Sequence, residues 1–237
     1  MIDFSDGQLI LIDKPLGKTS FQAVKHVKYI GKVKKVGHAG TLDPLATGLL
    51  IICTGKWTKK ITNLQLQEKE YTGTFVLGAT RPSFDQETEI DQTFDISEIK
   101  PEAIYELAKT FTGIIEQTPP IYSAVKIDGK RAYESARKGE DVIIKSKQVD
   151  IKTFEITRIN LPEIDFRIIC SKGTYIRSIA NDFGKALNNG AYLSVLRRTK
   201  IGEYNVNDAM TFESFTNWVK LTNDTDKAQT LSKDSAS

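Results

Sequence analysis

One carboxylate in this 237-residue chain is set apart by its surroundings. Asp43 lies in Gly37-His38-Ala39-Gly40-Thr41-Leu42-Asp43-Pro44-Leu45-Ala46-Thr47-Gly48, among glycines, a proline and two threonines. Glycine and proline at that density let a backbone turn sharply and approach another chain closely. The apolar run Leu49-Leu50-Ile51-Ile52-Cys53 follows at once and reads as a buried strand. Asp43 therefore falls on a loop anchored to a core, where catalytic groups are commonly carried. A carboxylate is ionised at neutral pH and, once aimed, can be a nucleophile. An Asp-Pro step in a glycine-rich loop is more often only a turn, and the residues alone leave both readings open.

The elements that must position this loop can be read from periodicity. Gln8 to Asp13 is a short apolar strand, and Lys14-Pro15-Leu16-Gly17-Lys18 turns into a helix capped by Thr19 or Ser20. Val24, Val27 and Ile30 give that helix an apolar stripe that stops before Gly31. Tyr71 to Gly78 alternates as a strand with Tyr71, Phe75 and Leu77 on one face. Residues 79–93 are a polar, acidic loop. Pro101 opens a helix carrying Ile104, Leu107, Ala108 and Phe111, with Gly113 beyond its end. A basic insertion near residues 117–145 follows, with Asp128-Gly129 as a turn and Lys126, Lys130, Arg131, Arg137 and Lys138 along it. Strands are expected from Lys147 to Asn160 and through Ile164, Phe166, Ile168 and Cys170. The second ends at Ser171-Lys172-Gly173-Thr174-Tyr175-Ile176-Arg177, where a helix begins whose apolar face is Ile176, Ile179, Ala180 and Phe183. That junction points Arg177 away from the apolar face.

Composition narrows the classes. Hydrophobic content of 40% and charged content of 27% suit a globular chain. A formal charge of +3 is too small to prove a nucleic-acid partner, but its distribution is informative. Lys25, Lys28, Lys32, Lys34 and Lys35 precede the Asp43 loop, and Lys56, Lys59 and Lys60 follow it. They suit either a solvated helix face or a phosphate backbone. Cys53 and Cys170 each lie in an apolar run, as buried thiols of a reducing compartment do. With only His26 and His38 besides, a zinc site is not expected. No apolar stretch approaches transmembrane length, and the N-terminus lacks the basic region of a signal peptide. A cytoplasmic protein is expected.

The stretch GHAGTLDPLATGLLIICTGKWTKK resembles the signature of the bacterial TruB family, the tRNA pseudouridine-55 synthases. The other family motifs occur in order. They are Asp13-Lys14-Pro15 with Gly17, Thr19 and Ser20; Lys69-Glu70-Tyr71; Cys170 to Arg177; and Gly190 to Arg198. The resemblance runs over roughly residues 8–220. It implies an α/β pseudouridine synthase fold, a mixed, largely antiparallel sheet flanked by helices, with the basic insertion as a thumb. The catalytic domain would then be residues 1–225 and the polar tail 226–237 disordered. Many relatives continue into a small RNA-binding PUA-type domain that is not expected here, at a cost to acceptor-end contacts and not to chemistry. Many family members also carry a Thr-Asp pair with a downstream glycine where this chain has Ser83-Phe84-Asp85, so Asp85 is assigned no catalytic role.

By the same resemblance Asp43 is the catalytic nucleophile, Arg177 pairs with it, and Tyr71 packs on the target base. His38 helps prise the base from the RNA, Tyr175 contacts the flipped nucleotide and Leu196 lines the uracil pocket. The implied reaction breaks the bond from ribose C1′ to uracil N1 and rejoins C1′ to C5. Nothing is oxidised and nothing is transferred in net, so no cofactor or metal is required. The partner is the T-stem-loop of tRNA, recognised by shape, with no membrane, guide RNA or obligatory protein partner, and a monomer is expected. Three rivals stand beside this. A guide-RNA-dependent synthase shares the core but relies on the additional domain. A non-catalytic tRNA-binding or folding factor explains the lysines but not the motif residues in register. A glycosidase needs a second acid near Asp43, and none is convincing.

Overall fold

The computed structural model describes residue 4, residues 6–122, 126–127, 130–131 and 145–222. The chain divides into two compact units, one of Met1–Gln67 with Arg197–Ser237, the other of Glu68–Leu196.

In the first unit β1 (Leu9–Lys14) is followed by α1 (Ser20–Ile30), β2 (Val36–His38) and β3 (Ala46–Thr54). A 3-10 turn (Gly55–Lys60) and α2 (Ile61–Leu66) come next. β1 runs antiparallel to β3 from Leu9 opposite Cys53 to Lys14 opposite Gly48, and β2 pairs β3 with His38 opposite Ile52. β3 is apolar without alternation because both its faces are covered. Leu50 and Ile52 join Ile10, Ile12, Ala23, Val24 and Val27, while Leu49, Ile51 and Cys53 join Ala39, Ile201 and Val206. Leu49, Leu50, Ile51 and Ile52, wholly removed from water, contribute about 1.5–3 kcal/mol each. Thr19, not Ser20, caps α1, in a capping box with Gln22.

The second unit opens with β4 (Lys69–Leu77), β5 (Ala79–Thr80), β6 (Gln92–Thr93), α3 (Pro101–Thr110) and β7 (Gly113–Gln117). Two short strands, β8 (Lys126–Ile127) and β9 (Lys130–Arg131), pair with each other. They are what is described of the expected thumb; its turn at Asp128-Gly129, Arg137 and Lys138 lie outside the described residues, as does the tail 226–237. β10 (Lys147–Asn160), β11 (Glu163–Cys170) and α4 (Ile176–Ala186) follow. β4, β11, β10 and β7 are neighbours in that order, all antiparallel. Phe75, Phe154, Phe166 and Phe183 meet on one face of this sheet with ring centroids 4.2–6.4 Å apart. α4 buries Ile176, Ile179, Ala180 and Phe183, the face its periodicity predicts.

Strand β12 (Ala191–Ile201) carries residues of both units, and its end pairs antiparallel with β13 (Tyr204–Asn205). Helix α5, residues 212–222, closes the first unit's core with Phe215 and Val219. Isolated parallel bridges join Ile12 to Met210 and Asp85 to Leu193. The α/β class with mixed, largely antiparallel sheet is thus the one observed. No helix of the described residues is long and apolar enough to cross a membrane.

Candidate active site

Asp43 is half-buried on the loop joining β2 to β3, and the backbone on both sides of it is held by side chains. Before it, Ser20 Oγ accepts from the Leu42 amide at 2.8 Å and lies 3.0 Å from the Leu42 carbonyl, to which it donates. After it, the Pro44 carbonyl accepts from the Gly17 amide at 2.9 Å and from Lys14 Nζ at 3.4 Å. Arg198 spans the loop from below. Its Nη2 donates to the Gly40 carbonyl at 3.1 Å, its Nη1 to Thr41 at 3.5 Å, and its Nε to Leu49 at 2.8 Å. A guanidinium suits this task because its donors form a rigid planar fork.

Both cations are buried, Lys14 wholly and Arg198 to 1% exposure. Lys14 Nζ also donates to the carbonyls of Lys18 (2.6 Å) and Pro15 (3.1 Å). Burial pushes the Lys14 ammonium down to about 8, the Asp43 charge opposes this, and the Arg198 charge adds to it. His38 ends β2. Burial lowers the affinity of its ring for a proton, the Gly40 backbone opposes that, and Arg198 reinforces it. Among the described residues its buried Nδ1 has no hydrogen-bond partner. A neutral imidazole is the form this environment favours. Neighbouring Arg197 behaves differently: it is half-exposed and forks onto Asp13 at 2.7 and 3.1 Å.

The second unit holds the other expected residues. Tyr71 is buried in β4 opposite Ile168, next to Glu70, which accepts from Arg167 at 2.7 and 3.0 Å. Tyr175 caps α4, and its backbone is clamped by Gln117, which accepts from its amide at 2.7 Å and donates to its carbonyl at 3.1 Å. Lys147 Nζ lies 4.6 Å from the Tyr175 ring centroid. Leu196 is half-buried on β12.

Arg177, in the first turn of α4, is 4% exposed. Its Nη1 donates to the carbonyls of Tyr122 (3.0 Å) and Ser83 (3.3 Å) and lies 3.6 Å from Asp85 Oδ2. Asp85 is itself 5% exposed, and its other oxygen accepts from the Glu87 amide at 3.0 Å. The sequence reading missed Asp85 as a charged partner, because the loop around it departs from the family pattern. It also passed over Arg198, which in sequence is one of two adjacent arginines. Among the described residues no cluster of three or more histidines, cysteines, aspartates or glutamates could hold a metal.

Comparison with known proteins places the chain in one family. The family model described as TruB family pseudouridylate synthase (N terminal domain) matches residues 28–176, and that of the tRNA pseudouridylate synthase B C-terminal domain matches residues 177–233. The tRNA pseudouridine synthase B of Flavobacterium johnsoniae is 61% identical over 220 residues, covering 90% of this chain and 96% of the relative. That of Phocaeicola vulgatus is 52% identical, covering 92% and 95%. Among solved structures, one of an H/ACA RNP bound to a substrate RNA containing 2′-deoxyuridine matches with a TM-score of 0.67 at 26% identity over 88% of this chain. The chain spans about half, 52%, of that solved relative. With a family model covering most of its length and relatives this similar, the chain belongs to the TruB family of pseudouridylate synthases, which are isomerases.

Proposed function

We propose that this protein converts uridine-55 in the T-loop of tRNA to pseudouridine, with Asp43 as the nucleophile. The observation that carries the reading is the pinning of the Asp43 loop by Ser20, Lys14 and Arg198, which fixes the backbone from which the carboxylate projects. The relatives named above act on tRNA, and this reading carries that substrate to the present chain.

In the reaction the C1′–N1 bond breaks, the uracil turns, and C1′ joins C5, whose hydrogen leaves to solvent as N1 gains a proton. The carboxylate acts on the nucleotide after the base has left its stack, a step that costs a few kcal/mol. Tyr71 offsets part of that cost by packing on the base, with Leu196 on the apolar side. Arg177 serves as the carboxylate's charge partner. A neutral His38 helps prise the base from the RNA, and Tyr175 contacts the flipped nucleotide. The protein works in the cytoplasm, as a monomer, without a guide RNA.

The test is tritium release from a tRNA transcript labelled at C5 of its uridines, with EDTA present. Wild type should release one tritium per tRNA and Asp43→Asn none, with tRNA binding retained in both. Release by Asp43→Asn would end the nucleophile assignment. Tight binding with no release by wild type would leave a tRNA-binding or folding factor.

A further inference from the structure

Helix α1 has two opposed faces. One buries Ala23, Val24 and Val27 in the core of its unit. The other carries Phe21, Lys25, Lys28 and Tyr29, all exposed, with Phe21 at 62% and Tyr29 at 83%. At about 100° per residue these positions fall within an arc of about 100°, so they form a single stripe. The helix contains no acidic residue. Lys25 Nζ stands 4.7 Å from the Phe21 ring centroid. Alongside the stripe runs a groove of about 790 Å³, lined by Lys25, Lys28, Tyr29 and Lys32 and, from α5, by Val219 and Lys220.

A solvated helix face explains lysines but not two large aromatics left in water among them. Among the described residues none of Lys25, Lys28, Lys32 or Lys220 is paired with a carboxylate, whereas Lys56, Lys109 and Lys152 each are. Lysine is depleted at protein–protein interfaces. Lysines interleaved with aromatics are what a nucleic-acid strand selects, phosphates against the charges and bases or sugars against the rings. The stripe is also placed for it. Its first residues adjoin Ser20, which holds Leu42 beside Asp43, and the stripe from Phe21 to Tyr29 runs about 12 Å along the helix axis from there.

We propose that this face of α1, with its groove, is a docking surface for the phosphodiester backbone of the substrate RNA outside the target loop. The proposal rests on tRNA being the substrate and concerns affinity, not chemistry.

The test compares the triple variant Lys25→Gln, Lys28→Gln, Lys32→Gln with a control of equal charge change away from the Asp43 loop, Lys100→Gln, Lys109→Gln, Lys152→Gln, both checked to melt as wild type does. The dissociation constant for an unmodified tRNA transcript should rise about tenfold or more in the first triple, and the slope of log affinity against log salt should become shallower by about three. The control should change little, and tritium release at saturating tRNA should keep its wild-type rate in both. Tyr29→Ala should weaken binding in the same direction. An unchanged constant and slope in the first triple would overturn the proposal and leave the face to a protein partner or to none. Equal losses in the two triples, or a slower rate at saturation with binding intact, would overturn it too. Wild type that binds tRNA but releases no tritium would defeat the proposed reaction, and the binding comparison would still judge this surface.

Discussion

The guanidinium of Arg177 lies 3.6 Å from the carboxylate of Asp85, and both side chains are shielded from water. A buried cation without its counter-charge is costly, so Asp85 offsets the burial of the Arg177 charge and keeps its side chain in place within its own unit. Asp85→Ala should therefore destabilise the protein by about 3 kcal/mol in urea unfolding and lower turnover. Asp85→Asn keeps the acceptor for the Glu87 amide and should lose less stability while turnover still falls. Stability within about 0.5 kcal/mol of wild type in Asp85→Ala would show that the carboxylate does not support Arg177.

Arg198 ties three carbonyls, Gly40, Thr41 and Leu49, which bracket Asp43 along the chain. Removing it takes a donor from the buried Leu49 carbonyl, at about 1–3 kcal/mol, and from the part-buried Gly40 and Thr41 carbonyls, at less. Lysine cannot reproduce the fork. Arg198→Lys should lower kcat about tenfold or more with KM nearly unchanged, because the loop loses its aim and not its RNA contacts. Amide hydrogen exchange at Gly40–Leu42 should quicken in the variant. A loss confined to KM would mean that Arg198 serves RNA binding instead.

These two residues also show where sequence reading stops. The β3 run was legible because burial on both faces leaves a strand with no polar positions. The α4 face and the Asp43 loop were legible because period and punctuation are local signals. Arg198 was not: it and Arg197 read alike, yet one is buried against carbonyls and the other half-exposed against Asp13. Asp85 was hidden for a different reason. It follows Phe84, a non-glycine residue at φ 63°, and its partner is in another element far along the chain. Neither tertiary partners nor an unusual loop path is written in residue spacing.

Gly48 places backbone where no side chain fits. It has φ 102°, and a Cβ there would run into the backbone of Arg198. Gly48→Ala should cost more than about 2 kcal/mol, since strain and overpacking act together. The denaturant midpoint is the measurement, and a shift under about 0.5 kcal/mol would contradict the close approach.

Both thiols should be inert. Burial raises Cys53 and Cys170 to about 11, so almost no thiolate exists at neutral pH. Iodoacetamide at pH 7.5 should leave the folded protein unmodified and label both residues once urea unfolds it. Labelling of the folded protein at either site would refute the burial.

Lys14 makes a prediction about pH. An unfolded lysine keeps its proton up to about 10.5, but the buried one only to about 8. Between those values the unfolded chain binds more protons than the folded one, so stability rises with pH there. Below about 8 the ammonium is charged in both states and the whole burial cost is present. In Lys14→Met this contribution is absent, and the carbonyls left unpaired cost the same at every pH. The stability difference, wild type minus Lys14→Met, should therefore climb between pH 8 and 10.5 in urea titrations. A flat difference over that window would mean that the hydrogen bonds to Pro15, Lys18 and Pro44, together with the charge of Asp43, keep the folded Lys14 protonated as firmly as water does.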